Sequence, residues 1–209
     1  MVKAILKKIP GVSAVARNLR RLGGRPDHRY DLLRSLPKHA IGAEIGVHQG
    51  DFSARILAAA KPKKLILIDP WMYVKDDTYK DALYGGEKGQ DQKHMDDRYN
   101  AVLARFSNEI DAGQVSVMRD LSEDALQKLD DDSLDFVYID GNHLYEHVKK
   151  DLELSFTKVR PGGIVSGDDY AVEGWWEGGV RQAVDEFVKD RKLKTLKIIG
   201  DQFLLTKPG

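Results

Sequence analysis

AEIGVHQGDFSARIL, Ala43 to Leu57, runs from an apolar segment through acid-x-Gly-x-x-x-Gly straight into a helical pattern. A second apolar run, KLILIDPW (Lys64 to Trp71), follows and also ends in an acid, Asp69. Strand, glycine turn, helix and strand form the opening unit of an open α/β sheet, whose ligands bind beyond the carboxyl ends of the strands. Gly46 and Gly50 permit a tight turn and a close approach of the backbone to a ligand.

Working outward, two more apolar runs end in acid: DFVYIDGNHLYEHV (Asp135 to Val148) and RPGGIVSGDDY (Arg160 to Tyr170). Asp140 and the pair Asp168/Asp169 then emerge at the ends of two strands and converge on one crevice. Carboxylates that close repel one another unless a cation sits between them, and an all-oxygen set favours a hard ion such as Mg²⁺. His143, three residues past Asp140, adds a base beside that ion. Plainer roles remain open: Asp140 as the cap of a helix starting at Tyr145, Asp168/Asp169 as an ordinary turn, and His143 as a structural histidine.

Asp69 is placed to accept hydrogen bonds from ribose hydroxyls, as an acid does at the second strand of nucleoside-binding α/β folds. A dinucleotide site prefers G-x-G-x-x-G, which leaves room for a pyrophosphate. Here His48 stands where the second of those glycines belongs. The pattern therefore points to a nucleoside ligand without a pyrophosphate, of which S-adenosylmethionine (SAM) is the commonest on this fold. His48 reads as orienting the cofactor loop, while His28, His39 and His147 read as solvated or packing residues.

Strands are expected near residues 40–47, 64–69, 115–119, 135–140, 163–167, 195–199 and 203–207, with helices near 29–36, 52–60, 96–110, 122–128, 145–159 and 180–191. Gly200-Asp201-Gln202 is too short for a crossover helix, so the last two strands form an antiparallel hairpin. The expected fold class is α/β, a Rossmann-like seven-stranded and mostly parallel sheet with one reversed strand, the class I methyltransferase version of this fold.

The ordered set AEIGVHQG, LILIDPW, DLSEDAL, LDFVYIDGNHLYEHVKKDL, RPGGIVSGDDY and GVRQAVDEF resembles class I SAM-dependent O-methyltransferases of the macrocin and mycinamicin type, from about Tyr30 onward. Cephalosporin hydroxylase-like proteins share much of this pattern. The resemblance implies metal ligation by Asp140, Asp168 and Asp169, with His143 as catalytic base; family members often carry Glu at the position of Asp168. It further implies SAM near Glu44, Gly46, Gly50 and Asp69, its adenine beside Asp120 to Ser122, a divalent metal such as Mg²⁺, and a sugar or other small polyhydroxylated acceptor. Rival classes are a non-haem iron hydroxylase using His143 and His147, a nicotinamide oxidoreductase, and a SAM-binding protein without turnover.

A chain of 209 residues with 42% hydrophobic residues suffices for a core between two helical layers. Cysteine is absent, which excludes disulfides, thiolate zinc sites and a cysteine nucleophile. Without a signal-type apolar segment or spanning run, a cytoplasmic location is expected. The net charge of zero hides an asymmetry, because Met1 to Pro26 carries seven basic residues and no acid. Within that arm, Ile5, Leu6, Ile9, Val12, Val15, Ala16, Leu19 and Leu22 recur at roughly helical spacing. A helical extension packing on its own domain or on another subunit of a homo-oligomer is the expectation; peripheral contact with an anionic membrane is the alternative, and no aromatic interleaving supports nucleic-acid binding.

Residues 27–209 are expected to form the catalytic domain. Within it, Met72 to Met95 is polar, broken by glycines and long for a loop, which suits a lid over cofactor and acceptor or an insertion touching neither. Trp175-Trp176 offers an aromatic wall for the acceptor, unless one of the two rings serves only the core or a subunit interface.

Overall fold

A computed structural model of the chain describes residues 28–209, so the basic arm expected at 1–26 lies outside the described residues. The elements follow in the order α1 (His28–Ser35), β1 (Ile41–Ile45), α2 (Asp51–Ala60), β2 (Lys64–Ile68), a 3₁₀ turn (Asp77–Tyr79), α3 (Gly86–Gly89), α4 (Gln92–Arg105), α5 (Ser107–Asp111), β3 (Val115–Met118), α6 (Ser122–Gln127), β4 (Leu134–Ile139), α7 (Tyr145–Lys158), β5 (Val159–Gly167), α8 (Gly179–Asp190), β6 (Leu196–Ile199) and β7 (Gln202–Thr206).

Seven strands form one sheet in the order β3-β2-β1-β4-β5-β7-β6. The first five run parallel, and β7 is the reversed strand, antiparallel to both β5 and β6. The parallel strands are short apolar runs because both faces are covered by helices. Ala43, Ile45, Ile66, Ile68, Val137 and Ile139 pack with α6, α7 and α8 on one face. Their alternates Leu65, Leu67, Phe136 and Tyr138 pack with α1, α2 and α4 on the other, as the two-residue period of a strand requires.

The helix expected over 96–110 begins earlier and breaks in two. Asp91 caps its start by accepting from the His94 amide, and Phe106 interrupts it before α5. The Phe106 ring fills the space a side chain at Gly50 would need, leaving 2.6 Å to a Cβ there.

The sheet's carboxyl edge is held in register by backbone bonds from the residues that follow the strands. Asp69, Asp140 and Asp168 donate their amides to the carbonyls of Met118, Ile45 and Ile139. Three acids are thereby lined up along one edge.

Candidate active site at the carboxyl edge of the sheet

Asp140, His143 and Asp169 form the tightest polar group on that edge, each offering a ligand atom within 4.8 Å of the other two. His143 Nε2 lies 3.1 Å from Asp169 Oδ2 and 3.5 Å from Asp140 Oδ1. Burial raises the pKa of Asp169, and the nearby imidazole opposes that rise. Asp140 does not cap α7, whose N-cap position is Leu144 without a side-chain cap; Asn142 Oδ1 accepts from the Leu144 amide at 3.0 Å in the turn before the helix. His147 is exposed on α7 and stands outside the group, so the two-histidine site of an iron hydroxylase does not assemble among the described residues.

Asp168 departs from the expected ligand trio. Its side chain is only 4% exposed and ion-pairs with Arg29, whose Nη2 also reaches Asp140 Oδ2 at 3.5 Å. Gln202 Nε2 donates to its other oxygen at 3.3 Å. The side chains that come together with ligand atoms facing one another are thus Asp140, His143 and Asp169, while Asp168 is engaged by Arg29. Two carboxylates with a neighbouring imidazole fit a divalent ion, and ligation by the imidazole nitrogen would make the site less selective for Mg²⁺ than an all-oxygen one. Sequence reading missed Arg29, because a helix preceding the first strand gives no local sign of where its guanidinium ends up.

Glu44 is the most unusual of the expected residues. It is the penultimate residue of β1, in a register row between Leu67 and Tyr138, on the face otherwise packed with apolar side chains. Its side chain is 1% exposed, and beyond the adjacent Ser53 hydroxyl neither carboxyl oxygen has a hydrogen-bond partner. Burial pushes its pKa up to about 8, while the neighbouring Ser53 and Arg29 act the other way. A buried acceptor without a donor costs free energy that a ligand donor would recover.

Asp69 is buried and already occupied. Its Oδ2 accepts from the amides of Val47 and His48 at 2.9 and 3.0 Å and from the Tyr84 hydroxyl at 2.5 Å, while Oδ1 accepts from the Trp71 amide at 2.8 Å. Trp71 Nε1 then donates to the His48 carbonyl at 2.9 Å. The acid thus ties the glycine turn to the end of β2, and a ribose hydroxyl would meet it at Oδ1 or by displacing Tyr84. His48 carries its loop role with a positive φ of 54°. Gly46, at φ 87°, is required by the protein's own backbone, since a Cβ there would lie 2.0 Å from the Asp140 carbonyl oxygen.

The adenine-side expectation places two residues that are engaged elsewhere. Asp120 accepts from Lys128 at 2.9 Å. Ser122 bonds to the buried Asp151, whose pKa burial pushes up to about 7.

An aromatic cluster stands over the acids. The Trp176 ring lies 4.7 Å from the His143 ring, Trp175 meets Trp176 edge-on at 5.8 Å, and Tyr79 meets Trp175 at 5.4 Å. Tyr79 also accepts from Asn142 at 2.9 Å. Both tryptophans border the site, and Trp176 in addition packs on the core. The segment 72–95 contributes Tyr79 to this cluster and Tyr84 to Asp69.

The description "Methyltransferase domain" matches residues 43–170 of the sequence. The chain belongs to this methyltransferase-domain family. Solved structures share the methyltransferase's architecture. The O-methyltransferase NovP superposes with a TM-score of 0.62 at 22% identity, covering 87% of this chain and 80% of NovP. The O-methyltransferase TomG of Streptomyces achromogenes, solved in complex with SAM, gives 0.57 at 16% identity over 98% of this chain and 93% of its own. A protein of Corynebacterium glutamicum gives 0.59 at 16%, covering 100% of this chain and 94% of that one. At these identities the likeness is one of fold. In sequence, the uncharacterized protein y4gI of Sinorhizobium fredii is 29% identical over 105 residues, which is 48% of this methyltransferase and 11% of that relative.

Proposed function

We propose that this methyltransferase moves the methyl group of SAM onto a hydroxyl of a small polyhydroxylated acceptor, with support from a divalent cation. The observation that carries the reading is the buried carboxyl of Glu44 on the strand beside the one that ends in Asp140, close enough to feel its charge, in a methyltransferase fold. Glu44 suits the ammonium of the cofactor's amino-acid end. Gly46, Gly50 and Asp69 shape the loop against which the nucleoside would rest.

When bound, SAM supplies a methyl group on a sulfonium, and the C–S electron pair stays on sulfur as the acceptor oxygen forms the new C–O bond. Asp140 and Asp169 would hold a divalent cation, whose charge favours a deprotonated hydroxyl. His143 receives the hydroxyl proton, and the charge that forms on its ring is met by Asp169 and Asp140. Trp176 fixes the plane of that ring. Trp175, Tyr79 and Asn142 offer apolar faces beside hydrogen-bonding edges, which suits a sugar-like acceptor. Most of the acceleration then comes from positioning.

A second reading makes His143 a third ligand of the cation, favoured by the approach of its Nε2 to both carboxylates. His143→Ala separates the two: a lost base leaves cation affinity intact, whereas a lost ligand lowers it. The reaction itself is tested by incubating the protein with radiolabelled SAM and a panel of polyols, with and without chelator. Label in a polyol that chelation abolishes supports the reading, and transfer at full rate after chelation removes the cation from it.

A further inference from the structure

The amino-acid end of SAM is a zwitterion, so a site that receives it needs an anion for the ammonium and a donor for the carboxylate. Glu44 is the anion. The usual donors at a glycine turn are its backbone amides, but here those of Val47 and His48 are consumed by Asp69. A cationic side chain would meet the carboxylate more strongly than a neutral donor.

Arg29 is in position for that role. It projects from α1, before the family-matched residues 43–170, and ends against Asp140 and Asp168 at the carboxyl edges of β4 and β5. Its guanidinium carbon sits 5.5 Å from the centroid of the Phe52 ring, in the first turn of α2 just past the glycine turn. Its charge acts on Glu44 as well as on Asp169. At 39% side-chain exposure the group is reachable from solvent, unlike Glu44 below it. Both acid contacts run through Nη2, whereas a guanidinium carries five N–H donors in a planar fork that matches a carboxylate.

We propose that Arg29 binds the carboxylate of the cofactor's amino-acid end, forming with Glu44 a two-point clamp on the zwitterion. This rests on SAM being the cofactor. In the ligand-free protein the same guanidinium neutralises Asp140 and Asp168, so the clamp is held ready by the acids it serves.

The test compares two ligands that share adenosine and a thioether. S-adenosylhomocysteine (SAH) carries the amino-acid end, and 5′-methylthioadenosine lacks both of its charges. Titration calorimetry of the wild type, Arg29→Gln and Arg29→Lys reads each affinity. The expected result is a loss of roughly 10- to 100-fold in SAH affinity for Arg29→Gln, with methylthioadenosine affinity unchanged and Arg29→Lys recovering part of the loss. Equal losses for both ligands, or no loss for either, overturn the clamp while leaving SAM as the cofactor. A wild type that binds neither ligand overturns the cofactor reading and the clamp with it. If Arg29→Gln fails to fold, Arg29→Lys decides: an unchanged ratio of the two affinities contradicts the proposal.

Discussion

The hydroxyl of Tyr84 donates to the carboxylate of Asp69 at 2.5 Å, which fastens the segment between β2 and α4 to the acid that also organises the glycine turn. Asp69 is thereby a structural knot as well as a candidate ribose acceptor. Asp69→Ala strands the amides of Val47, His48 and Trp71. It should therefore destabilise the ligand-free protein by about 1–3 kcal/mol, read as a lower midpoint in urea. Tyr84→Phe should leave the midpoint nearly unchanged and speed amide exchange within residues 72–95. An unchanged midpoint for Asp69→Ala would show that the knot is not structural.

The divided roles of the three site acids make a second prediction. Asp140→Asn and Asp169→Asn should abolish stimulation by a divalent cation and spare SAH affinity, measured by calorimetry. Asp168→Asn should instead loosen α1, because Asp168 pairs with Arg29, and should retain cation binding. His143→Ala should cost about 10² to 10⁴ in turnover. Loss of cation binding in Asp168→Asn alone would restore the three-carboxylate site expected from sequence.

The strands, the terminal hairpin and the acids were legible because each rests on a short-range signal. Apolar runs mark the strands, a three-residue link forces the hairpin, and an acid after a strand lands at the carboxyl edge. The turn at Gly46 was legible too, although its cause, the Asp140 carbonyl, was not. What stayed hidden was set by packing between distant segments: Arg29 on Asp168, Tyr84 on Asp69, Asn142 on Tyr79. The break at Phe106 belongs to the same class, since the ring is drawn to the gap over Gly50.

Glu44 gives a pH dependence. Its folded-state pKa, about 8, lies above the ordinary 4.5, so the folded protein holds a proton there that the unfolded chain releases. That contribution is fully present below pH 4.5 and is lost as pH rises through 8, on the order of a few kcal/mol. Asp151, raised to about 7, acts in the same direction. Thermal melting should show Glu44→Gln matching the wild type at pH 5 and exceeding it at pH 9. A wild type whose stability rises from pH 5 to 9 while Glu44→Gln stays flat would contradict the neutral, buried carboxyl.

The basic stretch Met1 to Pro26 is proposed to support self-association. Its deletion should lower the solution mass measured by light scattering. An unchanged mass, with salt-sensitive sedimentation on anionic vesicles by the intact chain, would favour a membrane role.

The central claim, a SAM-dependent methyl transfer, is met most directly by titrating the wild-type protein with SAH and with NAD under identical conditions. The account predicts saturable SAH binding and NAD binding weaker by about 100-fold or more, because His48 stands where a pyrophosphate loop needs glycine. Tight binding of NAD with none of SAH would contradict it.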